Sequence, residues 1–205
     1  MTQRIAVVSA GLSQPSSTRL LAERLAAATA RGGDVELDFV DLREHARDLA
    51  DNLVAGFPSP ALRSTIDRVV GADGLIAVTP IFNASYSGLF KTFFDVLEPE
   101  SLVGMPVLLG ATGGTERHSL ALEHALRPLF AYLRSVVVPT AVYAASTDWG
   151  DGAGDGLQRR IDRAAEEFTE LLAGRSRTRT VDPYAETTPF EDLLAGNLTP
   201  TRSSL

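Results

Sequence analysis

Serine, threonine and glycine residues collect at three points of the chain, each just after a short apolar run. Ser9, Gly11, Ser13, Ser16, Ser17 and Thr18 end the run that starts at Arg4; Pro80, Ile81, Phe82, Asn83 and Ser85 follow Gly74 to Val78; Thr112, Gly113 and Gly114 follow Pro106 to Gly110. Hydroxyls at a helix start, beside unpaired amides and a partial positive charge, hold phosphate oxygens. The same hydroxyls also serve as ordinary helix caps. Pro80 fixes its own φ and removes a donor, which leaves neighbouring amides, those of Phe82 and Asn83 among them, to meet a ligand edge. Adjacent glycines let the backbone pass close to a flat surface. A phosphate cradle with two ring-facing turns suits a mononucleotide with a large planar head, and FMN is the candidate of that kind.

Other phosphate chemistries fit less well. The first loop has neither the Gly-x-Gly-x-x-Gly turn of dinucleotide sites nor the Gly-Lys-Ser/Thr of triphosphatase loops. Lys91 is the only lysine, and the formal charge is −7, so a general polyanion-binding surface is disfavoured and any phosphate must rest mainly on amides and hydroxyls. Arg19 either reaches that phosphate or faces water. Lys91 and Asp95 stand four apart, the spacing of a modest surface pair. The chain has no cysteine, which excludes disulfides, thiolate metal sites and thiol redox chemistry. No metal site and no catalytic acid or base is expected.

These turns need a frame that brings strand ends together. Strands are expected at Arg4–Ser9, Asp34–Val40, Gly74–Val78, Met105–Gly110 and Val136–Tyr143, with the second, alternating against acidic residues, at an edge. Helices are expected from Ser17 to Arg31, Ala61 to Val70, Ser87 to Leu97, about Arg117 to Arg134, and Leu157 to Leu172. Asp41 to Pro60 reads as a long loop with room for one helical turn. Pro128 cannot donate to the carbonyl of His124, so an irregularity of π type is expected there. Helix histidines such as His118 and His124 fit structural or solvated roles by themselves. Strands alternating with helices imply a parallel sheet covered on both faces, with its ligand at the strands' carboxyl ends.

The set Ser13 to Thr18, Thr79 to Asp95 and Ala111 to Pro128 resembles the NADPH-dependent FMN reductase family of flavodoxin-like proteins, over most of Arg4 to Tyr143. It is most similar to flavin reductases that supply reduced FMN to two-component monooxygenases with a luciferase-like partner. The resemblance implies a flavodoxin-like, doubly wound five-stranded parallel α/β sheet of order 2-1-3-4-5. It implies that the first-loop hydroxyls hold the FMN phosphate, that Pro80, Ile81, Phe82 and Asn83 line one side of the isoalloxazine, and that Thr112, Gly113 and Gly114 line the other. His124 matches the place of an inserted residue that forms a π-helix near the flavin, and His118 joins the cofactor-binding set. The expected reaction is hydride transfer from NADPH or NADH to FMN, in a cytoplasmic homodimer or homotetramer with no nucleic-acid or membrane partner. Two rival readings are an FMN-retaining quinone or azo reductase and a flavodoxin-type electron carrier. Residues 1–174 are expected to form the FMN-binding domain and 175–205 an extended tail whose apolar patch is Phe190, Leu193 and Leu194.

Overall fold

A computed structural model describes residues 2–150 and 154–174. Strands β1 (Gln3–Ser9), β2 (Val35–Asp41), β3 (Gly74–Phe82), β5 (Pro106–Gly113), β6 (Val136–Val137) and β7 (Val142–Ala145) form a parallel sheet. Their order is β2-β1-β3-β5-β6, with β7 also on β5 and the short β4 (Ser85–Tyr86) antiparallel to β3. β6 and β7 occupy one position in turn, so the main strands follow the expected 2-1-3-4-5 sequence, and β2 is the edge.

Period-two alternation feeds both faces. Ile5, Val7, Ile76, Val78 and Leu108 pack under α1 (Ser17–Gly32) and α6 (Gly154–Ala173), against Leu21, Leu25, Ile161 and Phe168. Ala6, Val8, Leu75, Ala77 and Leu109 face the opposite layer of α3 (Pro60–Val70), α4 (Gly88–Asp95) and α5 (Arg127–Tyr132). That layer is closed by tilted and edge-on contacts among Phe90, Phe93, Phe94 and Phe130.

Several expected boundaries are corrected. The stretch read as a loop from Asp41 to Pro60 contains a 3-10 turn (Leu42–His45) and the helix α2 (Ala46–Ala55). Leu42 and Leu49 are buried while Leu53 and Val54 face outward, so the apolar pattern there does not follow burial. Gly56 ends α2 at φ 81°, donating its amide to Asn52 O at 2.9 Å.

β3 runs past Val78 to Phe82, because Thr79 and Pro80 stay in register with Ala111 and Thr112. The helix expected from Arg117 to Arg134 is broken into a 3-10 turn (Glu116–His118), a π turn (Leu122–Leu126) and α5. The irregularity expected at His124 is present: the amide of Arg127 bonds Leu122 O, one residue beyond α spacing.

The expected strand Val136–Tyr143 is split into β6 and β7. Between them Thr140 turns away from the ladder, its amide and hydroxyl both bonded to the Glu167 carboxylate at 2.7 Å. The tail residues 175–205, with Phe190, Leu193 and Leu194, lie outside the described residues. Among the described residues, no helix is long and apolar enough to cross a membrane.

Candidate functional site

Sheet register places the three loops side by side. Ser9 pairs with Val78, Val78 with Gly110 and Gly110 with Val142, so one row of residues crosses β1, β3, β5 and β7. Everything just beyond that row emerges at one carboxyl edge.

The first loop folds back onto the start of α1. A Cβ on Gly11 would stand 2.0 Å from Ser16 Oγ and 3.2 Å from Thr18 Cβ, so only glycine fits without displacing the cap. Ser16 Oγ accepts from the Arg19 amide at 3.2 Å, which makes it the N-cap. The first turn of α1 carries no acidic residue, leaving its unpaired amides and positive dipole end unopposed. Ser13 and Ser17 are exposed beside it. Ser9 is buried, and its hydroxyl has no partner. An unpartnered buried hydroxyl at the mouth of an anion-favouring helix start is a group built to meet something.

Thr18 and Thr112 are both buried, and their hydroxyls bond each other at 2.8 Å, joining the first loop to the third. In the second loop Phe82 faces Ser85 across the β3–β4 hairpin. Its two turn residues, Asn83 and Ala84, lie at φ 49° and 69°. Positive φ at both central positions is the two-residue hairpin turn, and in Ala84 it holds strain at the sheet's carboxyl edge. Pro80 and Ile81 are buried, Ser85 is half-buried, and Phe82 and Asn83 are exposed. Ser87 caps α4 through the Phe90 amide at 3.2 Å and gives its own amide to Thr79 Oγ1 at 3.1 Å.

In the third loop Gly114 has nothing within 4 Å of the place a Cβ would take, whereas Gly113 would meet the Tyr143 hydroxyl oxygen at 2.0 Å. That hydroxyl donates to Thr115 O at 2.8 Å. Burial, then the negative charges of Glu116 and Asp148, push the Tyr143 pKa up, so the phenol stays protonated and able to donate. Tyr143 was not visible as a site residue in the sequence, where it is only the end of a strand. His118 is exposed in the 3-10 turn after this loop, and His124 is exposed in the π turn, which packs against β4 and β5.

Two of the cations on the elements behind these loops are engaged. Arg19 bonds Glu23 at 2.7 Å and lies 4.5 Å over the Phe39 ring, and Lys91 pairs with Asp95. Clefts of about 570 Å³ between α1 and α6 and about 590 Å³ between α4 and α5 lie elsewhere, lined by Gln3, Gly32 and Ala173 in one and Phe94, Leu129 and Tyr132 in the other. Neither has an orphaned buried hydroxyl. The residues at the carboxyl edge fit FMN: hydroxyls and amides for a phosphate, and glycine backbone beside exposed turns for a flat ring. No cluster able to hold a metal ion occurs among the described residues.

Comparison with known proteins agrees. Residues 3–150 match the family described as NADPH-dependent FMN reductase. The chain is 35% identical over 175 residues to FMN reductase (NADPH) of Pseudomonas aeruginosa, covering 84% of this chain and 94% of that one. It is 36% identical over 177 residues to the NADH-dependent FMN reductase SfnE of Pseudomonas putida, covering 85% and 95%. An X-ray structure of an oxidoreductase from Corynebacterium diphtheriae superposes with a TM-score of 0.81 at 43% identity, covering 85% of this chain and 99% of that one. With strand ends arranged to take a phosphate and a flat ring, and likeness of this extent, the chain belongs to the NADPH-dependent FMN reductase family, oxidoreductases that use FMN and a nicotinamide nucleotide.

Proposed function

We propose that this chain takes FMN at the carboxyl edge of its sheet, reduces it with NADPH or NADH, and releases it to a separate flavin-dependent monooxygenase. The single observation that carries the placement is the buried, partnerless Ser9 hydroxyl, set beside the acid-free start of α1 and the Gly11 turn. When bound, the flavin accepts a hydride from the nicotinamide, and the bond-making chemistry belongs to those two groups. The chain contributes position and exclusion. Ser9, Ser13, Ser16, Ser17 and Thr18, with the first amides of α1, would hold the phosphate. Pro80 to Asn83, with Ser85, would border one side of the ring; Thr112 to Gly114 would border the other, with His118 and His124 at its margin.

Release of the product agrees with how Arg19, on the first turn of α1, and the lysine Lys91 are held: Arg19 by Glu23 and Phe39, and Lys91 by Asp95. A phosphate met only by hydroxyls and amides is held without a direct ion pair. We further propose a cytoplasmic homodimer or homotetramer, where nicotinamide nucleotides are supplied; exposed Leu53, Val54 and Phe57 give it apolar surface to bury.

The test is anaerobic mixing of purified protein with excess free FMN and either nucleotide. Bleaching of many flavins per chain is the expected result. Bleaching confined to bound flavin, with turnover only on adding a quinone, would replace this reading with that of a flavin-retaining reductase. No nucleotide oxidation at all would indicate an electron carrier.

A further inference from the structure

Tyr143 lies on β7, outside all three ligand-facing loops, yet it is the group the third loop rests on. Its backbone is in register with Ala111, the residue is 7% exposed, and its hydroxyl lies against the segment that follows Ala111. There its hydroxyl donates to Thr115 O at 2.8 Å. On the way it takes the space a side chain at position 113 would need: a Cβ there would stand 2.0 Å from the hydroxyl oxygen and 3.1 Å from the ring carbon bearing it. Gly114, one residue on, has open space at the same place.

The strand that carries the phenol is itself tied down. Arg160 donates to the Tyr143 carbonyl at 3.3 Å and to Asp148 Oδ1 at 3.0 Å, while Asp148 Oδ2 accepts from the Ala145 amide at 2.8 Å. Gly113 ends β5 in register with Ala145, and with the Thr18–Thr112 hydroxyl bond before it and the phenol's bond to Thr115 O after it, Gly114 is left spanning the gap between two anchors.

We propose that Tyr143 is a positioning residue for the flavin ring: its hydroxyl sets how the Gly114–Thr115 backbone leaves the end of β5, and position 113 is glycine because that hydroxyl fills the side-chain space. This rests on the FMN reading above. Tyr143 touches no reacting atom; it acts through the loop, so its loss alters how well FMN is held more than the rate once FMN is in place.

The experiment is a double-mutant cycle of Tyr143→Phe and Gly113→Ala, read by FMN KM, kcat and FMN affinity from fluorescence titration. Tyr143→Phe keeps the ring and deletes one hydrogen bond, so FMN KM rises about three- to tenfold, with kcat changing far less. Gly113→Ala alone has the larger effect, because its methyl meets the hydroxyl oxygen. In the double variant the oxygen is gone and only the 3.1 Å ring contact remains. A small ring shift relieves it, and FMN affinity returns toward that of Tyr143→Phe alone.

Wild-type FMN KM in Tyr143→Phe, or single effects that simply multiply in the double variant, overturns the proposal. If Gly113→Ala fails to fold, recovery of folded protein in the double variant supports the clash and continued failure counts against it, while Tyr143→Phe still tests the positioning role. Wild-type protein that reduces no FMN with either nucleotide sinks the functional reading instead, a result separate from both.

Discussion

Ser9→Ala separates stability from ligand binding at the proposed cradle. Ser9 is 1% exposed and its hydroxyl has no partner, a state that costs about 1–3 kcal/mol. Alanine removes the oxygen, leaves the Cβ and opens a void smaller than a methyl group. Without ligand the variant is therefore expected to be more stable by about 1 kcal/mol, taking the low end to allow for lost packing. For a chain of this size that is a rise in melting temperature of about 2–4 °C.

With FMN present the lost contact opposes this gain. A hydroxyl bonded to a neutral ligand atom contributes about 0.5–1.5 kcal/mol and to a charged phosphate oxygen about 1.5–3 kcal/mol. FMN affinity therefore falls at least about twofold, and by tenfold or more if the partner is the phosphate. Thermal melts at increasing FMN read both effects, because the ligand adds RT ln(1 + [L]/Kd) to the folded state. The variant should melt above wild type without FMN and gain less from it. A variant that melts no higher without FMN, and is stabilised by FMN as much as wild type, would refute the reasoning: the hydroxyl would then be neither a stored cost nor a ligand contact.

Other perturbations test the frame. Gly74→Ala puts a Cβ 2.8 Å from Leu172 Cδ2 and Phe168 Cζ, so overpacking should cost about 1–3 kcal/mol in a denaturant titration while FMN KM stays put. Lys91→Met removes an exposed i,i+4 pair with Asp95 and should change stability by less than about 0.5 kcal/mol, with wild-type turnover; a large rise in FMN KM would show that the only lysine serves the phosphate after all. Burial opposes ionisation of Glu167, but bonds from the hydroxyl and amide of Thr140, and from Arg163, outweigh it and hold its pKa below the ordinary value. That contribution is complete above the unfolded-state pKa of about 4.3 and disappears as the pH falls through the lowered folded value. Glu167→Gln should accordingly be less stable than wild type at neutral pH, and the gap should close on acidification through that window.

The sheet was legible because its signals are local. Buried strands are short apolar runs, and Ser16, Ser59 and Ser87 cap α1, α3 and α4 where serine precedes a helical pattern. The missed helix α2 is different. It buries Leu49 and Asn52 but leaves Leu53 and Val54 in solvent, so hydropathy along Asp41 to Pro60 does not report which face is inside; only Gly56, a helix-ending glycine, carried a usable signal. The split of the fifth strand depends on Glu167, which is 27 residues from the Thr140 it holds, and no reading of neighbours reveals such a bond. The π turn was readable for the opposite reason, since the missing Pro128 donor is a local fact.

The candidate site divides along the same line. Gly113 and Gly114 are indistinguishable in the sequence, and both were read as letting the chain approach a flat surface. In the fold they differ. Gly114 opens onto space, which suits close approach of a ligand, whereas Gly113 sits over a phenol and would clash with it if it carried a side chain. One glycine answers to what lies outside the protein and the other to a residue 30 positions away within it, Tyr143 being the partner that register with Ala111 supplies. Motif reading nominates residues for a ligand to touch, because their chemistry is their own. It does not recover the residue that holds them at the right height, because that role is conferred by strand pairing.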